Sequence, residues 1–281
     1  MRPNVPSKQS AAERVAQRLS SLLVIVAAVS SAVSFLFWDA FHRDVPASVG
    51  NMRGTALSVL IFAVPTLIVA MRTAARGSLR GQIVWLGALA YVAYNAVMFC
   101  FAASYNCFFL LYTTLLALSF WSLLILLRAF DLATVSRCCV HVPARAVAIY
   151  LLVCLLLFAG LWLSAILPSM VDNSVPSALT DAGMKQNPVW VLDFAFTFPL
   201  MSVGALWLWR KQAWGYVVSG MMTIMLTIET AGIGVDQYFG HLHDPAAPLS
   251  AVPVMGVFTL AGLIFSVLFL RGVRDSQQAL S

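Results

Sequence analysis

The sequence predicts an all-α integral membrane protein, a bundle of about eight transmembrane helices. Of its 281 residues, 61% are hydrophobic and only 10% are charged, and the mean hydropathy of +0.88 lies far outside the range of soluble domains. Apolar runs also recur along the whole chain, each close to the roughly 20 residues that cross the hydrocarbon of a bilayer. They fall at about 19–38, 54–71, 81–104, 108–127, 146–168, 189–209, 215–237 and 252–270.

The distribution of basic residues predicts the orientation of these eight segments. Cytoplasmic loops retain lysine and arginine, whereas exported loops do not. With the N-terminus in the cytoplasm, all of the 17 basic residues except Arg43, Arg53 and Lys185 fall on the cytoplasmic side. Several aspartates fall on the outer side: Asp39, Asp44, Asp172, Asp181 and Asp244. Eight helices with both termini in the cytoplasm are therefore predicted, because seven would scramble this alternation.

The net charge of +6 is a consequence of this orientation and predicts no nucleic-acid partner. The whole chain is expected to form a single polytopic membrane domain with a basic tail (1–18), a helix bundle (19–270) and a short tail (271–281). The basic tail would contact anionic headgroups at the cytoplasmic face of the bilayer. The first apolar run is longer than the core of a secretory signal. Without an organelle signal, we expect a cell membrane of the bacterial inner-membrane type.

Two mid-helix prolines indicate an internal repeat. Pro65 and Pro199 lie inside the second and sixth segments, where each should kink its helix and free a carbonyl. A shift of 134 residues superposes them, and it also superposes Asn95 on Glu229. The even number of helices per half would make this a parallel 4+4 duplication, an arrangement in which transporters bind substrate between the halves.

Acidic residues inside the predicted helices are the strongest candidates for chemistry, because each costs about 2.5–3.5 kcal/mol at the centre of a membrane helix. Glu229 lies roughly 12 Å below the outer end of segment seven, at 1.5 Å per residue. Asp193 lies one turn inside segment six. Asp236 lies seven residues from Glu229 and therefore shares a face with it.

Polar residues on neighbouring segments fall at similar depths. Tyr94 and Asn95 lie on one face of segment three, close to the depth of Glu229, and Tyr112 of segment four falls in a shallower layer. We therefore predict a polar cavity in the outer half of the bundle. Its lining would be Tyr94, Asn95, Tyr112, Asp193, Glu229 and Asp236.

Two interpretations of these residues stay open at this point. In the first, the cavity binds a substrate, and Glu229 accepts and releases a proton or a cation during transport. In the second, Glu229 is a neutral carboxylic acid, or an acid paired with an Asn or Tyr, and it holds segment seven against segment three, as polar residues commonly do in membrane bundles.

Metal and disulfide chemistry is weakly indicated. His241 and His243 precede Asp244 in an outer loop, and two imidazoles with carboxylates can bind zinc, but the spacing matches no defined metal signature. We predict no cofactor. Cys100 and Cys107 flank a tight outer turn, where a disulfide is one alternative in an oxidising compartment.

The function predicted from these observations is a secondary transporter of an unknown small molecule or ion. The sequence contains no P-loop, Gly-x-Ser-x-Gly or His-Glu-x-x-His motif, which disfavours ATP-driven transport by this chain alone, serine hydrolysis and zincin proteolysis. An intramembrane enzyme acting on a lipid-linked substrate is the alternative, with a carboxyl group as general acid or base. A structural or sensory subunit is the third class.

Overall fold

The computed structural model describes residues 10–274, and the described chain consists of helices and loops with no β-strand. Within these residues, eight helices are long and apolar enough to cross a membrane, which confirms the predicted all-α membrane bundle. They are α1 (Ala11–Leu36), α2 (Pro46–Ala74), α3 (Leu79–Phe101), α4 (Phe109–Leu127), α5 (Ala144–Val171), α6 (Pro188–Trp209), α7 (Ala213–His243) and α8 (Ala251–Gly272).

Helix α1 begins earlier than predicted, within the segment expected to be a polar tail. Ser10 caps it, because its hydroxyl oxygen accepts the backbone N–H of Glu13 at 3.0 Å. The Ser-x-x-Glu pattern is the capping-box signature that precedes many helices. Residues 11–18 of the predicted tail are therefore helical, and residues 1–9 and 275–281 of the two predicted tails lie outside the described residues.

The loops gather at two opposite ends of the bundle, as an even alternation of helices requires. At one end, the backbone N–H of Ser104 donates to Asp44, and the Ser48 hydroxyl donates to the carbonyl of Ala182. At the other end, Arg80 donates to the carbonyl of Val273. Following the predicted orientation, we refer to the first end as outer and to the second as inner.

Helices α3 and α7 form the centre of the bundle and are the most buried of the eight. Helix α7 contacts α2, α3, α6 and α8 along its length. Helices α1, α4, α5 and α8 lie at the periphery and present rows of exposed leucine, isoleucine, valine and phenylalanine. This arrangement suits a hydrocarbon solvent, in which exposed apolar side chains carry no penalty.

The backbones of α2 and α7 approach each other closely through a Gly-x-x-x-Gly motif. A Cβ atom at Gly50 would lie 2.3 Å from the carbonyl oxygen of Phe239, and one at Gly54 would lie 2.3 Å from the Cα of Asp236. Real Cβ atoms do not approach backbone atoms so closely. Two small residues one turn apart are a common device for such packing in membranes, so the two glycines fix α2 against α7.

The two mid-helix prolines each follow a π-helical turn. The turns span Val59–Ala63 in α2 and Asp193–Thr197 in α6. A proline lacks the N–H of the regular ladder, and a wider turn is one way for a helix to accommodate it. The two turns are related by the 134-residue shift that relates Pro65 to Pro199.

The same shift relates features of the loops that follow α2 and α6. Gly77 and Lys211 both have positive φ, at 84° and 56°, and α3 and α7 begin at the equivalent residues Leu79 and Ala213. A Cβ atom at Gly81 or at Gly215 would lie 2.6 or 2.3 Å from a backbone nitrogen of the preceding helix. These repeated backbone features support the predicted duplication for α2–α3 and α6–α7.

Candidate functional site

Asp193 is buried at the start of the π-helical turn of α6 and accepts hydrogen bonds from two other helices. Its Oδ1 accepts the hydroxyl of Tyr94 at 3.2 Å, and its Oδ2 accepts the indole N–H of Trp162 at 2.8 Å. Thr197, at the end of the same turn, also bonds to it through its side chain. The carboxyl group of Asp193 therefore links α3, α5 and α6.

Glu229 and Asn95 join the two central helices. The amide Nδ2 of Asn95 donates to Oε2 of Glu229 at 2.8 Å and to the carbonyl oxygen of Tyr91 at 3.1 Å. Each residue is 16 positions from the inner end of its helix, which is roughly 24 Å at 1.5 Å per residue. The pair therefore lies in the outer half of the bundle.

Asp236 lies two turns further out on α7 and faces α2. The hydroxyl of Thr55 is 3.5 Å from its Oδ2, and Gln237 donates to its Oδ1 at 3.3 Å. The hydroxyl of Tyr91 lies between the two acids of α7, 3.0 Å from the Cβ position of Gly232, and it is buried without a hydrogen-bond partner among the described residues. Polar groups left unpaired in this way are uncommon and frequently mark functional sites.

Tyr112 lies apart from this cluster, so the expectation that it shares the cavity is wrong. Its hydroxyl is 2.7 Å from the hydroxyl of Ser34 in α1, and its ring stacks on Phe99 with the centroids 5.0 Å apart. It packs α4 against α1. Its depth in the membrane was predictable, but the side of α4 on which it lies depends on the rotation of the helix.

The two histidines proposed as weak metal candidates lie in the last turn of α7, which continues past its predicted end to His243. His241 bonds through Nδ1 to the carbonyl of Ala247 at 2.8 Å, and the His243 ring packs edge-on against Trp38. Between residues 10 and 274, no three histidine, cysteine, aspartate or glutamate side chains form a group that could hold a metal ion.

The structure leaves the two outer cysteines, Cys100 and Cys107, as free thiols. The disulfide considered across the α3–α4 turn is therefore absent from the described structure. Cys100 is partly buried near the end of α3, whereas Cys107 is exposed in the turn itself.

A small cavity with a mostly apolar wall lies where α3, α5, α6 and α7 meet, and we call it the polar cavity because Tyr94, Asp193 and Glu229 contribute to that wall. It has a volume of about 40 Å³, and Tyr94, Trp162, Asp193 and Glu229 are among its lining residues. A water molecule occupies about 30 Å³ in the liquid. The cavity therefore has room for a water molecule, a small ion or the headgroup of a larger molecule.

Two larger spaces lie beside this cavity, towards the periphery and the outer end of the bundle. An apolar groove of about 330 Å³ lies between α3, α4, α6 and α7, and it shares Tyr94 and Thr197 with the polar cavity. An outer vestibule of about 600 Å³ shares Val97 and Leu192 with the groove. The three spaces are therefore neighbours, and the innermost one is lined by Glu229.

The electrostatics of the site are one-sided. The charged groups that act on Glu229 are the other two acids, Asp193 and Asp236, and none of the basic residues described in the structure is among them. Carboxylates in a membrane usually pair with a base or bind a cation or a proton. The site therefore favours a positively charged species.

Two contributors to the site were missed by the sequence analysis. Trp162 and Thr197 both bond to Asp193, yet each lies in a largely apolar run and carries no charge that would mark it. A signal existed for Trp162, since the indole N–H of a tryptophan inside a membrane helix usually finds an acceptor. The α2–α7 contact also had a signal in the spacing of Gly50 and Gly54.

The chain was compared with protein-family models, with curated proteins and with solved structures, and none of them matches it.

Proposed function

We propose that this multipass membrane protein is a secondary transporter in which Glu229 is the site of reversible proton or cation binding. The observation that carries the proposal is the convergence of Tyr94, Asp193 and Glu229 around one cavity, with Asn95 bonded to Glu229. Packing alone does not require two acids beside a cavity with no base to balance them. A proton or a cation supplies that balance.

The position of Glu229 in the predicted repeat supports the same proposal. Glu229 is equivalent to Asn95 under the 134-residue shift, and the two side chains contact each other. Equivalent residues of two related halves meet only near the axis that relates the halves. Transporters built from repeats place their substrate and coupling-ion sites at this interface, and their broken helices contribute to those sites, as the π-helical turn at Asp193 does here.

The titratable groups facing Glu229 define what a proton-binding experiment would sense. Tyr91 and Tyr94 face it from α3, Asp193 from α6 and Asp236 from its own helix. A substitution at Glu229 therefore removes the central member of an acidic group.

A pH-jump experiment tests proton binding without a known substrate. The protein is reconstituted in proteoliposomes on a solid-supported electrode, and the transient current is recorded when the external pH changes. Glu229→Gln should abolish a transient that the wild-type protein shows. Glu13→Gln is the matched control, because Glu13 is also buried and also bonds to an amide, that of Gln82 at 3.2 Å, but lies near the inner end.

The control should behave as the wild-type protein does. A transient of equal size in Glu229→Gln and in the wild-type protein would contradict the proposal and favour the structural role of the Asn95–Glu229 pair. Chromatographic monodispersity of both variants establishes that the comparison is between folded proteins.

A further inference from the structure

We infer that the substrate of this site is an amphipathic ammonium, a molecule with a protonated amine at one end and an apolar tail. The inference rests on the proposed function and names its substrate class. The amine would occupy the polar cavity beside Asp193 and Glu229, and the tail would lie in the apolar groove between α4 and α6. The groove and the cavity adjoin at Tyr94 and Thr197.

The charge of the site selects the amine. Asp193 and Glu229 both line the cavity, and the charged groups acting on Glu229 are acids. When these acids are deprotonated, an anionic headgroup is repelled, whereas an ammonium gains charge-assisted hydrogen bonds. Aromatic side chains complete the wall, with Tyr94, Phe158 and Trp162 among them, and the faces of such rings attract cations.

The size of the cavity limits what enters it. A volume of about 40 Å³ is close to that of one or two water molecules, which occupy about 30 Å³ each in the liquid. A primary ammonium fits this space, but a whole organic substrate does not. The remainder of any larger substrate must lie outside the cavity.

The groove is the space next to the cavity that accepts an apolar tail. Most of its lining is hydrophobic, with Ala93, Leu123, Phe196 and Leu200 among the residues. Phe196 is 60% exposed on the surface of the bundle, so the groove opens sideways towards the lipid. A tail could therefore enter from the membrane, while the headgroup approaches through the outer vestibule that adjoins the groove.

The two halves of the predicted repeat differ at their outer ends. Under the 134-residue shift, α3 corresponds to α7 and α6 corresponds to α2. Helices α2 and α7 pack directly against each other through Gly50 and Gly54. Helix α6 begins at Pro188, which corresponds to Gly54 of α2. Helix α2 begins eight positions earlier, at Pro46, and so it extends further towards the outer end. The residues of the α6 side that correspond to this additional length of helix are 180–187, and four of them, Gly183, Met184, Lys185 and Gln186, line the outer vestibule.

Binding of n-octylammonium to the full-length protein in lipid nanodiscs tests the inference. Octyl sulfate, which has the same tail and the opposite charge, and ethylammonium, which lacks the tail, are the comparison probes. We expect the wild-type protein to bind octylammonium roughly tenfold or more tightly than either, the discrimination that about 1.4 kcal/mol provides. Equal affinities for octylammonium and octyl sulfate in the wild-type protein would overturn the inference.

Two variants locate the bound molecule. Ala93→Trp fills the groove and should weaken octylammonium binding about tenfold, which is again about 1.4 kcal/mol. Leu263→Trp is the matched control, because Leu263 is 50% exposed on α8, away from the groove, and this variant should bind as the wild-type protein does. Unchanged binding in Ala93→Trp would refute the groove as the site of the tail.

The pH-jump current separates this inference from the proposed function. A current that depends on Glu229, together with equal binding of octylammonium and octyl sulfate, would support the proton site and contradict the inferred substrate class. A current that does not depend on Glu229 would remove the proposed function itself, whatever the binding results.

Discussion

The contact between α2 and α7 provides the most direct test of the packing around the site. In Gly54→Ala, the new Cβ would lie 2.3 Å from the Cα of Asp236, whereas nonbonded carbon atoms rest at about 3.5–4.0 Å. The two backbones would have to separate by more than about 1 Å. Overpacking of this kind costs about 1–3 kcal/mol. We expect a loss of stability in the same range.

The matched control is Gly256→Ala in α8, where no atom of the described part of the chain lies within 4 Å of the new Cβ. Alanine is favoured over glycine in a helix by about 1 kcal/mol, so this variant should be as stable as the wild-type protein or slightly more stable. Reversible unfolding in mixed detergent micelles measures both variants. If Gly54→Ala were as stable as Gly256→Ala, the close approach of α2 to α7 would be refuted.

Two further predictions concern Asp193 and the inner loop. Trp162→Phe removes the hydrogen bond to Asp193 and should cost about 1–3 kcal/mol in the same unfolding assay. Trp190→Phe should cost less, because the indole N–H of Trp190 is buried without a partner among residues 10–274. Equal losses in the two variants would contradict this assignment. Burial raises the pKa of the Cys139 thiol from 9.0 to about 12, so a maleimide should label exposed Cys107 but not Cys139 at pH 8. The pKa of the Cys139 thiol is higher in the folded state than in the unfolded state. The stability that the neutral thiol contributes is therefore complete below pH 9 and declines towards pH 12. A free energy of unfolding that does not change above pH 9 would contradict this prediction.

The sequence predicted the membrane fold well because the signal for each span is long and strong. Eight apolar runs and the positions of the arginines defined the number of helices, and the structure has helices at all eight. The ends were harder to predict. The last turns of α7, as far as His243, are polar but helical. Hydropathy alone does not distinguish a polar helical turn from a loop, so the predicted end came too early.

The candidate site was predictable in its depth but not in its full membership. Helical periodicity placed Asn95 and Glu229 at matching depths on the two central helices, and the structure brings them to 2.8 Å. The rotation of a peripheral helix such as α4 depends on which neighbours pack against it, so the contact of Tyr112 with Ser34 was not visible in the pattern. The groove and the cavity arise from the spacing between helices, which a single sequence does not specify.

Substituted-cysteine accessibility tests the central claim, that the acids line a cavity reached from the outer side. Cysteine is introduced at position 193 or 229 in a background without native cysteines, and a membrane-impermeant thiol reagent is applied from each side. Ser119→Cys is the control, because Ser119 is buried with its hydroxyl bonded to its own helix. The account predicts labelling of Asp193→Cys and Glu229→Cys from the outer side and none of Ser119→Cys. Absence of labelling at both acidic positions would show a dry contact between helices and contradict a transport role.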